Sequence, residues 1–287
     1  MGKIEDLTLR NQGFISEDTQ EALKNIKVLI AGCGSIGGGI VELLVRTGVR
    51  NFVLADPDTY DYTNMNRQVV YFNDVEKNKA LFLEEKIYKI NPSCTVSVYD
   101  NGIRDDNIIE MLHNIDIIVD GVDVTTKDGW IAKFELHEQA KEKRIPLISG
   151  YDMDATQYVI FHDYSNEYEQ LFDGRITRKH IAIFEPLVSC VFLIQPKNMP
   201  LGIFEELERI EKKEKDFISQ LGIAANLYAI ITTSMIIKKI EGKKIKKEVY
   251  IDLWETVSFY SQNDKNKLNE FRKKWENKIK KISEEQL

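Results

Sequence analysis

Apolar positions along the first 150 residues follow two alternating rhythms. Short unbroken runs, KVLIAG (27–32), NFVLAD (51–56), IDIIVDG (115–121) and PLISG (146–150), read as buried strands, and Thr95 to Tyr99 alternates as a further one. Between them apolar residues recur at helical spacing, over Ile36 to Arg46, Asn78 to Ile90 and Gly129 to Lys143. This alternation predicts an α/β, Rossmann-like fold with a mainly parallel sheet and helices on both faces.

After Gly150 the rhythm changes. Tyr158 to His162, Leu187 to Gln195 and VYIDLW (249–254) read as additional, antiparallel strands, with an acidic, aromatic loop over Asp163 to Asp173. A charged helix is predicted over Ile203 to Lys215 and an apolar one over 223–240. Between Asp264 and Lys281 stand eight basic and three acidic residues, while Leu268, Phe271, Trp275, Ile279 and Ile282 share one helix face. That pattern is a docked helix with a solvated basic face. No linker or repeat divides the chain, so 1–287 reads as one domain in three parts, 1–150, 151–260 and 261–287.

Composition narrows the class. Apolar residues make up 43% and charged residues 30%, enough for a real core, and 39 basic against 46 acidic residues leave a formal charge of −7. An acidic surface offers phosphate backbones no general attraction, so a dedicated nucleic-acid partner is not expected. Cys33, Cys94 and Cys190 are too few for a disulfide framework or a four-cysteine zinc site. No secretory signal opens the sequence, and the longest apolar stretch, Ile223 to Ile237, is too short and polar to span a bilayer. A cytoplasmic protein without a membrane partner is expected.

The run AGCGSIGGG (31–39) stands where a strand hands over to a helix. Gly32, Gly34 and Gly37 fit G-x-G-x-x-G, which serves a tight turn, close approach to phosphate and close helix–strand packing. Asp56, 24 residues after Gly32, ends the next strand, where a carboxylate accepts ribose hydroxyls. These features call for an adenine nucleotide and leave NAD and ATP both open. The following PDTYDYTNMNRQ (57–68) carries Asp58, Asn64, Arg67 and Gln68. Hydride transfer has no need of an arginine here, whereas attack on a phosphate develops charge that an arginine stabilises.

At these residues the chain resembles the ubiquitin-activating-enzyme-like ThiF/MoeB/HesA adenylyltransferases. The shared motifs stand in order as GCGSIG (32–37), DPD (56–58), TNMNRQ (63–68), Lys79 and VDGVD (119–123), over about Arg10 to Gly150. The resemblance implies that 1–150 binds ATP and that 151–260 forms a substrate and dimer half. It implies that Asp56 holds the ribose, with Gly32, Gly34, Ser35, Gly37, Asp58 and Gln68 around the nucleotide. Asn64, Arg67 and Lys79 would meet its phosphates. Asp123 would hold magnesium, a hard cation suited to carboxylate oxygen. Arg10 would reach across a homodimer into the neighbouring site. The implied reaction activates a carboxylate, the C-terminus of a ubiquitin-like carrier protein or a peptide, as an acyl-adenylate.

The chain also departs from that family. It has no C-x-x-C pair, so no structural zinc is expected, and Ser35 stands where a further loop glycine is common. The run after Asp123 is Val124-Thr125-Thr126-Lys127-Asp128, without the Asn and Arg that relatives often carry there. Cys190, in VSCVF, reads as a core residue of a buried strand rather than an acyl-carrying thiol. Cys33 reads as a packing residue and Cys94 as a surface or strand-edge thiol. His113, His137, His162 and His180 lack metal-ligand spacing, and His180 reads as part of a solvated loop. The start (Arg10, Asn11, Gly13, Phe14), Asn66-Arg67-Gln68 and Phe161 resemble a less-studied branch and leave the acceptor open. A tRNA-modifying dehydratase of the same family, a non-catalytic nucleotide-binding scaffold and an NAD-dependent oxidoreductase are the alternatives.

Overall fold

β-branched and aliphatic runs with no polar interruption form strands that both faces of a sheet can bury, and four of them line up here in parallel. The computed structural model describes residues 4–286, and the side chains of 7–284. Strands β1 (Lys27–Ala31), β2 (Asn51–Ala55), β3 (Thr95–Tyr99), β4 (Ile117–Asp120), β5 (Leu147–Met153), β6 (Thr156–His162) and β7 (Glu248–Asp252) form one sheet ordered β3-β2-β1-β4-β5-β6-β7. Strands β3 to β5 across the order are parallel, and β6 and β7 add antiparallel. The central β1, β4 and β6 are buried almost throughout, while β3 at one edge is largely uncovered.

Helices cover both faces. α1 (Glu17–Asn25), α2 (Ser35–Thr47), α3 (Lys79–Ile90) and, from later in the chain, α9 (Gly222–Ile240) enclose the larger core with β1 and β2. On the other face lie α4 (Ile108–Met111) and α5 (Lys127–Glu142), packed over Leu29, Val53 and Ile118. Burying each such side chain contributes roughly 1.5–3 kcal/mol over leaving it exposed. The remaining helices are α6 (Arg178–Ile183), α7 (Pro186–Ile194), α8 (Leu201–Glu211), α10 (Leu253–Val257) and α11 (Gln262–Gln286). A third core joins α5, α7, α8 and α11 through Trp130, Phe204, Phe271 and Trp275.

Three expectations change. Leu187 to Gln195 is helix α7 rather than a strand: an unbroken apolar run suits either element, and Pro186 at the first helical position favours the helix. His180 lies on α6, buried, and its Nδ1 accepts from the Thr177 backbone N–H at 2.8 Å, so it is no solvated loop residue. Cys94 precedes the edge strand β3 as its position suggests, but its side chain is buried.

α11 docks through Phe271 and Trp275 as its spacing predicts. Its basic face is only partly solvated, because Lys267 and Lys274 each reach an acid of α8, Glu205 and Glu208, at 2.6 Å, and Lys278 pairs with Glu211. α9 alone among the described helices is long and apolar enough to cross a membrane; half of it is buried inside the protein, along α2 and the sheet. Gly150 makes that packing close, since a Cβ there would lie 2.2 Å from the Tyr228 ring.

At the far side of the sheet Phe172 (φ 50), Asp173 (φ 57) and Gly174 (φ 72) form a left-handed turn. Lys247, immediately before β7, ion-pairs with Asp173 and with Glu169 at 2.6 Å each.

Candidate functional site

The order of strands reverses at β1: β2 lies on one side of it and β4 on the other. Ligands of open α/β sheets bind at the carboxyl ends of strands at such a point. The glycine loop stands there. Gly32 has φ +86, and a Cβ on it would lie 2.3 Å from the Gly121 carbonyl oxygen at the end of β4. A Cβ on Gly37 would lie 2.0 Å from the Gly32 oxygen and 2.7 Å from the Ile30 side chain. Both glycines are therefore required by the turn and by helix–strand packing. Gly34 differs, since a Cβ there meets only Gln68 at an ordinary 3.5 Å. No side chain caps the N-terminus of α2 after Gly34, so its first-turn N–H groups face the loop opening.

Asp56 ties this loop to β2. Its Oδ2 accepts from the Cys33 backbone N–H at 2.6 Å and its Oδ1 from that of Asp58 at 2.8 Å. Each oxygen keeps a second lone pair that can accept a further hydrogen bond. Burial pushes the Asp56 carboxyl up, and the Lys79 ammonium opposes this. Lys79 begins α3 and pairs with Asp58 at 3.0 Å. Asn78 positions both: its Oδ1 caps α3 at Ala80 and Leu81, while its amide donates to the carbonyls of Asp56 and Asp58. The N-cap preference for Asn is the sequence signal of this role. Cys33 is buried behind the loop, as a packing residue would be, and its thiol is pushed far up by burial.

The second wall is the segment 62–68. Asn64 is half-buried and its Oδ1 accepts from the Asp61 N–H at 3.1 Å, closing a capping box on a short 3₁₀ turn. Arg67 donates through Nη1 to the Thr63 carbonyl and to Asn66 Oδ1, both at 2.9 Å. Its Nε, and Gln68 Oε1, are shut off from solvent and have no partner. Desolvation lowers the Arg67 guanidinium, and the carboxylates of Asp152 and Asp123 counter this. Asn66 in turn donates to the Gln220 carbonyl at 2.9 Å, fixing the segment against the start of α9. Ser35, Arg67, Gln68, Gly222 and Asn226 line a cleft of about 230 Å³ between these parts.

Asp123 lies in the loop after β4, exposed, with Oδ1 and Oδ2 accepting from the backbone and hydroxyl of Thr125 at 2.8 and 2.9 Å. Beneath it Asp120 is fully buried, held by the Lys133 ammonium, His137 Nε2 at 2.9 Å and the Ser149 hydroxyl at 2.6 Å. Burial opposes ionisation, but Lys133 and His137 keep the Asp120 carboxyl well below its usual range. Arg10 is not brought to the site. It is exposed on a 3₁₀ helix (Ile4–Asn11) whose Thr8 packs by Gly48 at the C-terminal end of α2, while Ser35 opens the other end. A helix of that length spans about 20 Å.

Cys190 sits on α7, partly buried, with its thiol donating to the Val124 carbonyl at 3.5 Å. Burial pushes the thiol up to about 12, the reverse of an activated cysteine. Two residues escape the sequence motifs. Asp152, on β5, faces Ser35 and Arg67. His162 lies within 4.8 Å of Glu169 and Asp173, a grouping that spacing along the chain does not reveal, although Lys247 already occupies both carboxylates.

The profile of the ThiF family matches residues 8–278. The chain belongs to the ThiF family. The chain is 28% identical over 151 residues to the sulfur carrier protein adenylyltransferase of Thermus thermophilus, covering 52% of this chain and 54% of that one. It is 31% identical over 170 residues to the tRNA threonylcarbamoyladenosine dehydratase of Haemophilus influenzae, 56% of this chain and 63% of the other. The matches thus span less than two thirds of each relative. The fold is that of the crystal structure of E. coli MccB with ATP, at a TM-score of 0.56 and 20% identity over 78% of this chain and 59% of that one.

The residues fit a nucleotide triphosphate. The orphaned Arg67 Nε and the open helix N-terminus supply donors, and Gly34 has space that no protein atom crowds. Asp123 presents an exposed carboxylate, a donor suited to a hard cation such as magnesium.

Proposed function

We propose that this protein is an ATP-dependent adenylyltransferase that activates the C-terminal carboxylate of a ubiquitin-like sulfur carrier or of a peptide. The observation that carries this reading is the cleft in which Arg67 and Gln68 face the uncapped start of α2 at Ser35, while Asp56 and the Lys79–Asp58 pair flank the same glycine loop at the switch point of the sheet. ATP and magnesium, when bound, supply an α-phosphate that a carboxylate attacks, giving an acyl-adenylate and pyrophosphate. The chain's own part is to hold and neutralise. Arg67 and Lys79 offset phosphate charge, Asp56 orients the ribose, Gln68 and Ser35 border the phosphates, and Asp123 carries the metal. Anhydride formation needs no protein nucleophile, in keeping with the raised Cys190 thiol.

The relative's name, a sulfur carrier protein adenylyltransferase, supports the carrier as substrate, and the solved relative with ATP supports the nucleotide. A homodimer is part of the reading. The position of Arg10 at the far end of α2 from its own chain's site, with a Phe14 that is 90% exposed nearby in the sequence, supports that reading. Three unpaired thiols suit a reducing, cytoplasmic setting.

ATP–pyrophosphate exchange with candidate carboxylates tests the proposal. Exchange lost in Arg67→Ala and Asp123→Ala supports it, and NADH binding without ATP binding overturns it. The second reading, a tRNA dehydratase using the same activation, rests on the Haemophilus relative. Pairing of Lys267, Lys274 and Lys278 with α8 leaves the tail less charge for RNA. Turnover with modified tRNA and none with a carrier protein would select it.

A further inference from the structure

Asp152 belongs to no motif, yet its carboxyl lies buried behind the cleft, against Ser35 and Arg67, two of the residues that line it. Alternation along β5 sends it to the face covered by α2 and α9, two residues beyond Gly150, on which Tyr228 packs. Ser35, at the start of α2, and the Arg67 guanidinium are the groups that favour its ionised form against burial. Oriented with its nitrogen towards the carboxyl, the Gln157 amide donates to Asp152 Oδ1 at 2.6 Å and to the Ala224 carbonyl at 3.1 Å. In that orientation it also accepts from the Tyr151 N–H at 3.0 Å. Asp152 Oδ2 is shut off from solvent and has no partner.

The groups facing this carboxyl are few. Segment 62–68 presents Arg67, the loop after β4 presents Asp123 to that same arginine, and α9 presents Tyr228. α2 and β6 present Ser35 and Gln157, which do not ionise. One guanidinium would therefore have to serve an ionised Asp152 and a triphosphate together. Like charges crowded into one dry site do not both stay ionised.

We propose that Asp152 takes part in nucleotide binding as the neutral acid, with a proton on Oδ2 donated to a phosphate oxygen, so that binding MgATP takes up a proton from solvent. This rests on the reading of the cleft as an ATP site. The proton returns to solvent when the phosphates leave, and no bond other than O–H is made or broken. The same burial that isolates Oδ2 pushes the Asp152 carboxyl up to about 7, with Ser35 and Arg67 opposing. The neutral form is therefore within reach near neutral pH. Arg67 remains whole for the phosphates, and Asp152 adds a donor instead of a competing charge.

Calorimetric titration of the full-length protein with MgATP at about pH 8, in buffers of different ionisation enthalpy, counts the protons taken up. The wild type is expected to take up close to one proton, and its affinity to fall about tenfold per pH unit above neutrality. Asp152→Asn keeps the shape and a neutral donor, so uptake should vanish and the affinity should become flat with pH. Asp152→Ala, which removes the donor, should lose the uptake and bind more weakly than Asp152→Asn at every pH. Equal uptake in wild type and Asp152→Asn, or parallel pH profiles, would overturn the proposal while leaving ATP binding intact. No binding of MgATP at all would instead overturn the nucleotide reading, and this proposal with it.

Discussion

The Lys79 ammonium lies 3.0 Å from the Asp58 carboxylate, with the lysine stem buried and the aspartate 63% exposed. So exposed a partner makes the pair weak as a stabiliser, about 0–1 kcal/mol. In the proposed function its value is to hold a cation ready for the phosphates. Lys79→Ala is expected to leave the melting temperature nearly unchanged while lowering ATP–pyrophosphate exchange about 100- to 1,000-fold, the range for losing one charge-stabilising donor. A large fall in stability with exchange preserved would make Lys79 structural.

Lys133 has the opposite weighting. It is buried with Asp120, His137 and Ser149, out of reach of solvent. Removing one partner of a buried ion pair leaves an uncompensated charge and costs about 3–5 kcal/mol. Lys133→Met should show that loss in urea unfolding. Lys133→Arg should recover part of it only if the larger guanidinium fits, which a melt of both variants decides.

Cys190 should prove dispensable for adenylation. With its thiol pushed up to about 12, alkylation of the native protein near neutral pH is expected to be slow. Cys190→Ala should retain exchange within about twofold, since the thiol is not placed to stabilise charge in the transition state. Acyl transfer to this cysteine trapped by mass spectrometry would contradict that.

Asp152 should also mark the pH dependence of folding. Its folded carboxyl is raised above the unfolded value of about 4, so the folded state holds a proton that the unfolded state lacks between about pH 4 and 7. Stability from this group is present below that window and is lost as pH rises through it. Asp152→Asn should therefore gain most in melting temperature over wild type at about pH 8, and little at about pH 4. Identical pH profiles would show that the group does not titrate in that window.

The parallel strands, the glycine turn and the acid at the end of β2 are legible in the amino-acid sequence, because they rest on local patterns and fixed spacings, and they stand where those patterns place them. α7 is not, because VSCVFLI carries no period to separate helix from strand, and only Pro186 at its start tips the balance. Asp152 is not legible either. It is one polar residue in a buried strand, and only the approach of α2 and segment 62–68 brings Ser35 and Arg67 against it. The burial of His180 and the partners of the α11 lysines likewise come from contacts distant along the chain.

The double grip of Lys247 on Glu169 and Asp173 has a consequence for how the molecule opens. It fastens the left-handed turn to the start of the outermost strand, two pieces that the chain itself separates by the whole of α6 to α9. The two pieces are therefore expected to loosen together, so that hydrogen exchange rises in both when Lys247→Ala removes the link.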